Sequence, residues 1–208
     1  MNLWKWIPVA VVSCCCSFDT GYGQDIAAPD MPDVDEYRKT PEFEKDRLAI
    51  ARQAIIGKLC LEIAGMELDM QQKALDERLL LQTMMELWPE KTLDDCPQDF
   101  REAWLQSRKV FKMWLKDDNA WEETEEGRDM VQQLQDSMKR VEEKYGCQVL
   151  DQAADKWLKT HGPVKKEGES PKEYLKRLNQ LKEDIYSGKL AVSPELLHQE
   201  DEWKDEEE

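Results

Sequence analysis

Apolar residues recur at helical spacing along most of the chain, and no stretch alternates in the pattern of a strand. The longest helical pattern covers residues 40–88. Thr40 followed by Pro41 supplies a capping hydroxyl and a first-turn proline, which predicts the start of this helix. A straight helix of that length would reach about 70 Å, so either the molecule is elongated or the helix bends. Gly57 and Gly65 are the expected weak points.

Five aromatic residues recur at helical spacing in residues 96–121 and indicate a second helix, which residues 117–119 are expected to end: Phe100, Trp104, Phe111, Trp114 and Trp121. Their spacing keeps all five rings within one stripe at about 3.6 residues per turn. Each buried ring removes roughly 150–250 Å² from water. We therefore interpret the stripe as the core helix around which the chain is organised. A surface that stacks on a sugar or a peptide is the alternative.

Three further helices are predicted over residues 124–145, 148–160 and 170–188. Gly146 supplies a C-terminal stop for the first of them, and Ser170 with Glu173 forms a capping box at the start of the last. The sequence therefore predicts an all-α fold, an elongated antiparallel helical bundle with a long first helix.

The aromatic helix and the helix after it should form an antiparallel hairpin that turns beside Trp121. Cys96 begins the first of these helices and Cys147 follows the second, so the two should meet at the open end of the hairpin. We expect them to form a disulfide, which requires Cα atoms within about 7 Å, and Cys60 to be a buried free thiol. Three separate thiols, or a bridge between Cys60 and Cys96, are the alternatives.

The N-terminal residues predict export from the cytoplasm. Residues 1–13 carry one positive charge at Lys5 and then an apolar run too short to span a bilayer, which is typical of an export signal. Residues 11–14 resemble the bacterial lipobox, and the resemblance implies cleavage before Cys14 and a lipid on its thiol. Ordinary cleavage near residues 21–23 is the alternative. The apolar leader argues against a cytosolic thiol cluster.

The composition of the chain after the export signal predicts three segments: a tether, a helical domain and a tail. Residues 14–39 contain Gly, Pro and Asp without apolar periodicity and are expected to form the lipid anchor and a flexible, disordered tether. Residues 40–188 are the predicted helical domain. Residues 189–208 are the predicted acidic tail, which ends in DEWKDEEE and is expected to be disordered.

The formal net charge of −16 and the pI of about 4.7 restrict the possible partners. Phosphate groups need a positive surface, so the charge argues against binding to nucleic acid or to an anionic membrane surface. Membrane contact is expected through the lipid anchor only. A cationic protein is the favoured partner, although acidic charge that merely maintains solubility is the simpler explanation.

Catalytic and metal-binding motifs are not found in the sequence. His161 and His198 belong to no HExxH arrangement, so no metal site is predicted. Neither a GxSxG elbow nor a phosphate-binding glycine loop occurs, so no catalytic residue and no cofactor is predicted. Acidic pairs such as Glu62 with Glu67 or Asp69 leave an acid/base enzyme with buried carboxylates as an alternative.

A set of positions within residues 60–109 carries a resemblance to a known family: Cys60, then Glu67, Leu68 and Asp69, then Phe100, Ala103, Trp104 and Arg108. These positions resemble the Cys, Glu-Leu-Asn and Ala-Trp-x-x-x-Arg positions of the LprI-type lysozyme-inhibitor family of bacterial envelope proteins. The resemblance implies a small exported helical domain and inhibition of lysozyme. Lys109 stands where an acid usually follows the arginine, and the family's next cysteine is missing.

Taken together, these features favour a non-enzymatic helical protein that is tethered to the bacterial cell envelope and binds another macromolecule. A soluble periplasmic or secreted protein is the alternative location. An inhibitor of a cationic exported enzyme such as lysozyme is the first alternative function, and the acid/base enzyme is the second.

Overall fold

Helices make up all the regular secondary structure in the computed structural model, which describes residues 34–73, 76–117 and 120–198. They are α1 (Val34–Tyr37), α2 (Pro41–Met70), α3 (Glu77–Leu87), α4 (Gln98–Asp117), α5 (Glu125–Tyr145), α6 (Cys147–His161) and α7 (Pro171–Tyr186). Short 3-10 turns cover Glu90–Leu93, Ala120–Glu123 and Pro194–His198. The all-α prediction is confirmed. The predicted export signal, the lipidation site Cys14 and the end of the acidic tail lie outside the described residues.

The central helix of the bundle is α2, which packs against α3, α6 and α7. Its middle section is buried on nearly every side, and Ile50, Ile55 and Ile63 have no exposed surface. Full burial of such a side chain stabilises the fold by about 1.5–3 kcal/mol. The prediction that the aromatic helix organises the chain is therefore wrong, because α4 packs mainly against α5 while α2 joins the other layers.

The predicted helix over residues 40–88 is divided into two antiparallel helices. After Met70 the chain turns back, and α3 runs along α2 so that Trp88 lies against Gly57 and Leu80 lies beside Gly65. The break is therefore not at either glycine, since α2 continues through both. Instead, the two glycines lie where α3 side chains approach the α2 backbone.

The predicted antiparallel hairpin is formed by α4 and α5. Two side-chain pairs set its register: Asp99 bonds to Lys144 at 2.7 Å, and the Ser137 hydroxyl lies 3.1 Å from the Gln106 amide oxygen. The members of each pair are almost equally distant from Trp121 along the chain, so the predicted register is correct. Trp121 itself belongs to the 3-10 turn between the helices, because α4 ends before it.

Arginine side chains from neighbouring elements donate hydrogen bonds to carbonyl groups at the C-terminal ends of three helices. The last carbonyls of a helix have no intrahelical partner and carry partial negative charge, which a guanidinium satisfies. The contacts are Arg108 with Met85 and Trp88 of the α3 end, Arg78 with Trp114 and Leu115 of α4, and Arg38 and Arg47 with Glu143 and Tyr145 of α5. These contacts fix the orientation of the hairpin relative to α2 and α3.

The folded region extends beyond both predicted boundaries of the helical domain. The α1 helix precedes Thr40, and its Tyr37 ring packs edge-on against Phe43 at 5.5 Å. Residues 187–198, here called the C-terminal strap, follow α7 and bury Val192 and Leu197. The 3-10 turn that ends the strap contacts α2 and α6. Parts of the predicted tether and acidic tail are therefore folded. Within the described ranges, no helix has the length and apolar character needed to cross a membrane.

Candidate functional site

A groove of about 1440 Å³ lies between the first turns of α2, the start of α4 and the C-terminal strap. The α1 helix and the end of α5 contribute to its wall. Its apolar lining includes Leu48, Ile185 and Val192, which belong to or pack against the core. The groove is therefore built on packed helices, which hold its polar side chains in place.

The polar lining of this groove is acidic. Seven carboxylates line it, from Glu36, Glu42, Asp46, Asp94, Asp95, Asp99 and Glu102. Three cations oppose them, from Lys45, Arg52 and Lys144. The lining therefore carries a net charge of −4, and the groove has the same sign as the whole chain.

Several of the groove carboxylates are neutralised within the protein. Arg52 donates to Asp95 at 2.7 Å, and Lys144 donates to Asp99 at 2.7 Å. Within the part of the chain that the structure describes, Asp94 and Glu102 form no ion pair. Both are exposed, and the internal hydrogen bond recorded for the Glu102 carboxylate comes from the neutral Gln98 amide at 2.7 Å, so a cation from outside can reach both without displacing an internal cation.

An aromatic corner closes the groove where α1, α2 and α5 meet. The Tyr145 hydroxyl donates to Asp99 at 2.9 Å, and the Tyr37 hydroxyl donates to Asp46. The Lys144 ammonium lies 5.0 Å from the Tyr37 ring centre and 4.9 Å from that of Tyr145, within cation–π distance. The chain's own lysine thus shows how this wall holds a cation, between aromatic faces and a carboxylate.

The hydroxyl groups of this corner act as hydrogen-bond donors. Burial, together with the neighbouring Asp46, raises the pKa of Tyr37 well above its ordinary value. Burial and the charge of Asp99 raise the pKa of Tyr145 in the same direction. Both tyrosines therefore stay protonated at neutral pH and hold their carboxylates in place.

The predicted disulfide is absent, and this prediction is wrong for the structure described: Cys60, Cys96 and Cys147 are all buried free thiols. Both partners lie just beyond the paired parts of the hairpin. Gly146, with a φ of 65°, turns the chain away at the end of α5. The Cys147 thiol therefore points to the Val141 carbonyl, at 4.0 Å, while the Cys96 thiol points to the Ala49 carbonyl of α2, at 3.8 Å.

The cysteine thiols are poor nucleophiles in this setting. Burial raises the pKa of Cys96, which lines the groove, to about 12. Burial likewise raises the pKa of Cys60 to about 12 and that of Cys147 in the same direction. The thiolate is the reactive form of cysteine, so these groups are almost entirely unreactive at neutral pH.

The aromatic stripe lies apart from the groove, none of whose lining residues belongs to it. Phe100, Trp104 and Phe111 are buried in the main core. Trp121 is buried in a second, smaller cluster with Val110 and Leu134, and Trp114 is half-buried beneath the Arg78 guanidinium. The interpretation of the stripe as core therefore agrees with the burial of four of its members.

The other residues that the sequence analysis selected lie away from the groove. Glu62 is exposed and accepts a hydrogen bond from Tyr174 at 2.8 Å, while Glu67 is half-buried and Asp69 is exposed. His161 stacks on Trp157 at the end of α6. Among the residues whose placement is described, no three His, Cys, Asp or Glu side chains are arranged to hold a metal ion.

Comparison of the chain with known protein families, with curated proteins and with solved structures found no match. The resemblance of residues 60–109 to the LprI-type family therefore stays a prediction. In the structure two of its residues each contact the end of α3: Cys60 contacts the Leu87 carbonyl at 3.4 Å, and Arg108 contacts the Trp88 carbonyl at 3.3 Å. Both contacts hold the end of one helix in place.

Proposed function

We propose that this chain is a non-enzymatic, envelope-tethered helical protein that binds another protein, and that the groove receives a cationic polypeptide segment of that partner. The observation that carries the proposal is the excess of carboxylates in a groove built on packed helices. Charge complementarity between partners gives specificity and raises the rate of encounter.

The size of the groove favours a polypeptide segment over a small molecule. Pockets for small ligands usually enclose about 300–1,000 Å³. The groove is larger, at about 1440 Å³, and its lining includes seven carboxylates. An extended segment with several lysines or arginines would place its cations against the exposed Asp94 and Glu102 and its aliphatic stems along the apolar floor.

Electrostatic attraction also acts before contact. A net charge of −16 attracts a cationic partner over distances up to the Debye length, about 8–10 Å at physiological ionic strength. The internal pairs of Arg52 with Asp95 and of Lys144 with Asp99 hold the walls before the partner arrives, so little ordering is required on binding.

The envelope tether rests on the lipobox resemblance of residues 11–14. The chain enters the described structure at Val34, which lines the groove, so residues 14–33 would connect a lipid on Cys14 directly to the groove's edge. We expect the protein to fractionate with membranes and the mature N-terminus to be a lipid-modified Cys14. Mass spectrometry of the N-terminal peptide tests this, and cleavage near Gly23 with a soluble product would rule out the anchor.

A photo-cross-linking experiment tests the groove as the binding site. A photoreactive amino acid is placed at Ala191, an exposed residue of the groove wall, or at Val164, an exposed loop residue used as the matched control. In an envelope extract, Ala191 should capture a cationic protein that Val164 does not. Identical products from both positions, or capture of acidic proteins only, would contradict the proposal.

Inhibition of a cationic exported enzyme such as lysozyme is the second candidate function. The acidic groove fits the charge of such an enzyme, and the LprI-type resemblance points in the same direction. A cell-wall lysis assay with lysozyme tests this candidate. Loss of lysis that a basic peptide reverses would support it, whereas unchanged lysis at saturating protein would leave only the broader binding function.

A further inference from the structure

The outward face of α4 is basic, although the chain as a whole carries a charge of −16. Arg101, Lys112 and Lys116 lie within one narrow stripe of the helix, with the exposed side chain of Leu105 between them. From Arg101 to Lys116 the stripe is about 22 Å long at 1.5 Å per residue. These four residues are called the α4 basic face below.

The α4 basic face has no partner among the described residues. Arg101, Lys112 and Lys116 form no ion pair there, whereas the adjacent Arg108 is already bound to Glu90 at 3.5 Å. The opposite side of α4 packs against α5, so this face is directed away from the hairpin. Three unpaired cations and an exposed leucine on one rigid helix form a surface for an anionic occupant.

We propose that residues 199–208 of the same chain bind to the α4 basic face. This segment contains seven carboxylates and one lysine, which gives it a charge of −6. Its single aromatic side chain, Trp203, is suited to cover the exposed Leu105. The segment therefore complements the α4 basic face in charge and in apolar surface. This proposal does not depend on the function of the groove.

The strap passes the start of α4 before the acidic segment begins. Val192 of the strap lines the same groove as Gln98 at the start of α4, so the strap and the beginning of α4 face each other. The ten residues after His198 extend to roughly 33–36 Å, so the segment is long enough to lie along the whole face of about 22 Å. Because a linked segment has an effective concentration in the millimolar range, it outcompetes a second copy at micromolar concentration.

Zero-length carbodiimide coupling of the full chain at low salt tests the contact. Lys112 and Lys116 should become linked to carboxylates of residues 200–208, as tryptic peptide mapping would show. The yield should not depend on protein concentration and should fall at 1 M salt, where the Debye length is about 3 Å. Links that form only to Lys172 or Lys176 of α7, or links that grow with protein concentration, would overturn the proposal.

Amine labelling provides a second readout. In a chain that ends at His198, the labelling rates of Lys112 and Lys116 should rise several-fold relative to the full chain, while those of the exposed Lys172 and Lys176 stay unchanged. Equal rates at Lys112 and Lys116 in the two chains would overturn the proposal even if the coupling yield is low.

Discussion

Substitution of two glycines in α2 by alanine should change stability in opposite directions. In a helix interior, alanine is more favourable than glycine by about 1 kcal/mol. At Gly65 a new Cβ would meet its nearest neighbour, in Leu80, at 3.9 Å, which is an ordinary contact. We therefore expect Gly65→Ala to stabilise the protein by about 1 kcal/mol.

At Gly57 the same change meets the Trp88 ring. The new Cβ would lie 2.6 Å from one ring carbon and 2.7 Å from another, closer than non-bonded carbons approach. The ring cannot easily move, because it is 1% exposed, donates its N–H to Gln53 at 3.1 Å and packs edge-on against Trp104. Overpacking costs about 1–3 kcal/mol, so after the gain of about 1 kcal/mol in helix propensity Gly57→Ala should destabilise by up to about 2 kcal/mol.

Urea unfolding of the two variants measures the difference, which should equal the overpacking cost of about 1–3 kcal/mol with unchanged m-values. For a chain of this size their melting temperatures should separate by roughly 2–12 °C. The two substitutions have the same chemistry in the same helix, so each is the control for the other. Equal stabilisation by both would show that Trp88 is not seated over Gly57.

Three further predictions concern the core, the thiols and pH. Trp104→Ala should destabilise by about 3–5 kcal/mol in urea unfolding, and a parent-like transition would contradict its burial. Cys96 and Cys147 should be alkylated without prior reduction once the chain is unfolded, but only slowly at pH 8 in the native protein; a linked peptide pair would refute the free thiols. Hydrogen bonding from Arg177 lowers the pKa of Glu169, so this contribution to stability is present above about pH 4.5 and is lost as pH falls through the lowered pKa. Arg177→Gln should weaken the acid dependence of the melting temperature, and an unchanged profile from pH 7 to 3 would contradict it.

Helix boundaries that depend on neighbouring residues could be predicted from the sequence. Ser170 and Glu173 form the predicted capping box, and Gly146 adopts the left-handed conformation that ends α5. The hairpin register also followed from helix lengths and a turn beside Trp121. In each case the physical cause is local, so the chain itself displays it.

The features that could not be predicted from the sequence depend on contacts between residues that are distant along the chain. The sequence between α2 and α3 contains neither glycine nor proline, and the apolar pattern of a helix continues through it, so the return of α3 along α2 left no local signal. The disulfide prediction used the correct register but could not include the turn at Gly146, which directs Cys147 away from Cys96. The net charge of the chain predicted a partner of positive charge but did not locate the groove. The carboxylates of the groove come from segments as distant in sequence as Glu36 and Glu102, and only the fold brings them together.

Titration of a fluorescent ten-residue peptide of alternating arginine and glycine tests the acidic groove as a site for a cationic segment most directly. The Asp94→Asn, Glu102→Gln variant removes two groove carboxylates that form no ion pair with a described residue. The Glu126→Gln, Asp129→Asn variant removes two exposed carboxylates of α5. Two surface ion pairs of about 0.2–1 kcal/mol each predict a roughly 2- to 30-fold loss of affinity for the groove variant, with a weaker salt dependence, and parent-like binding for the α5 variant. Equal weakening in both variants would show that the peptide responds to net charge alone and would contradict the groove as its binding site.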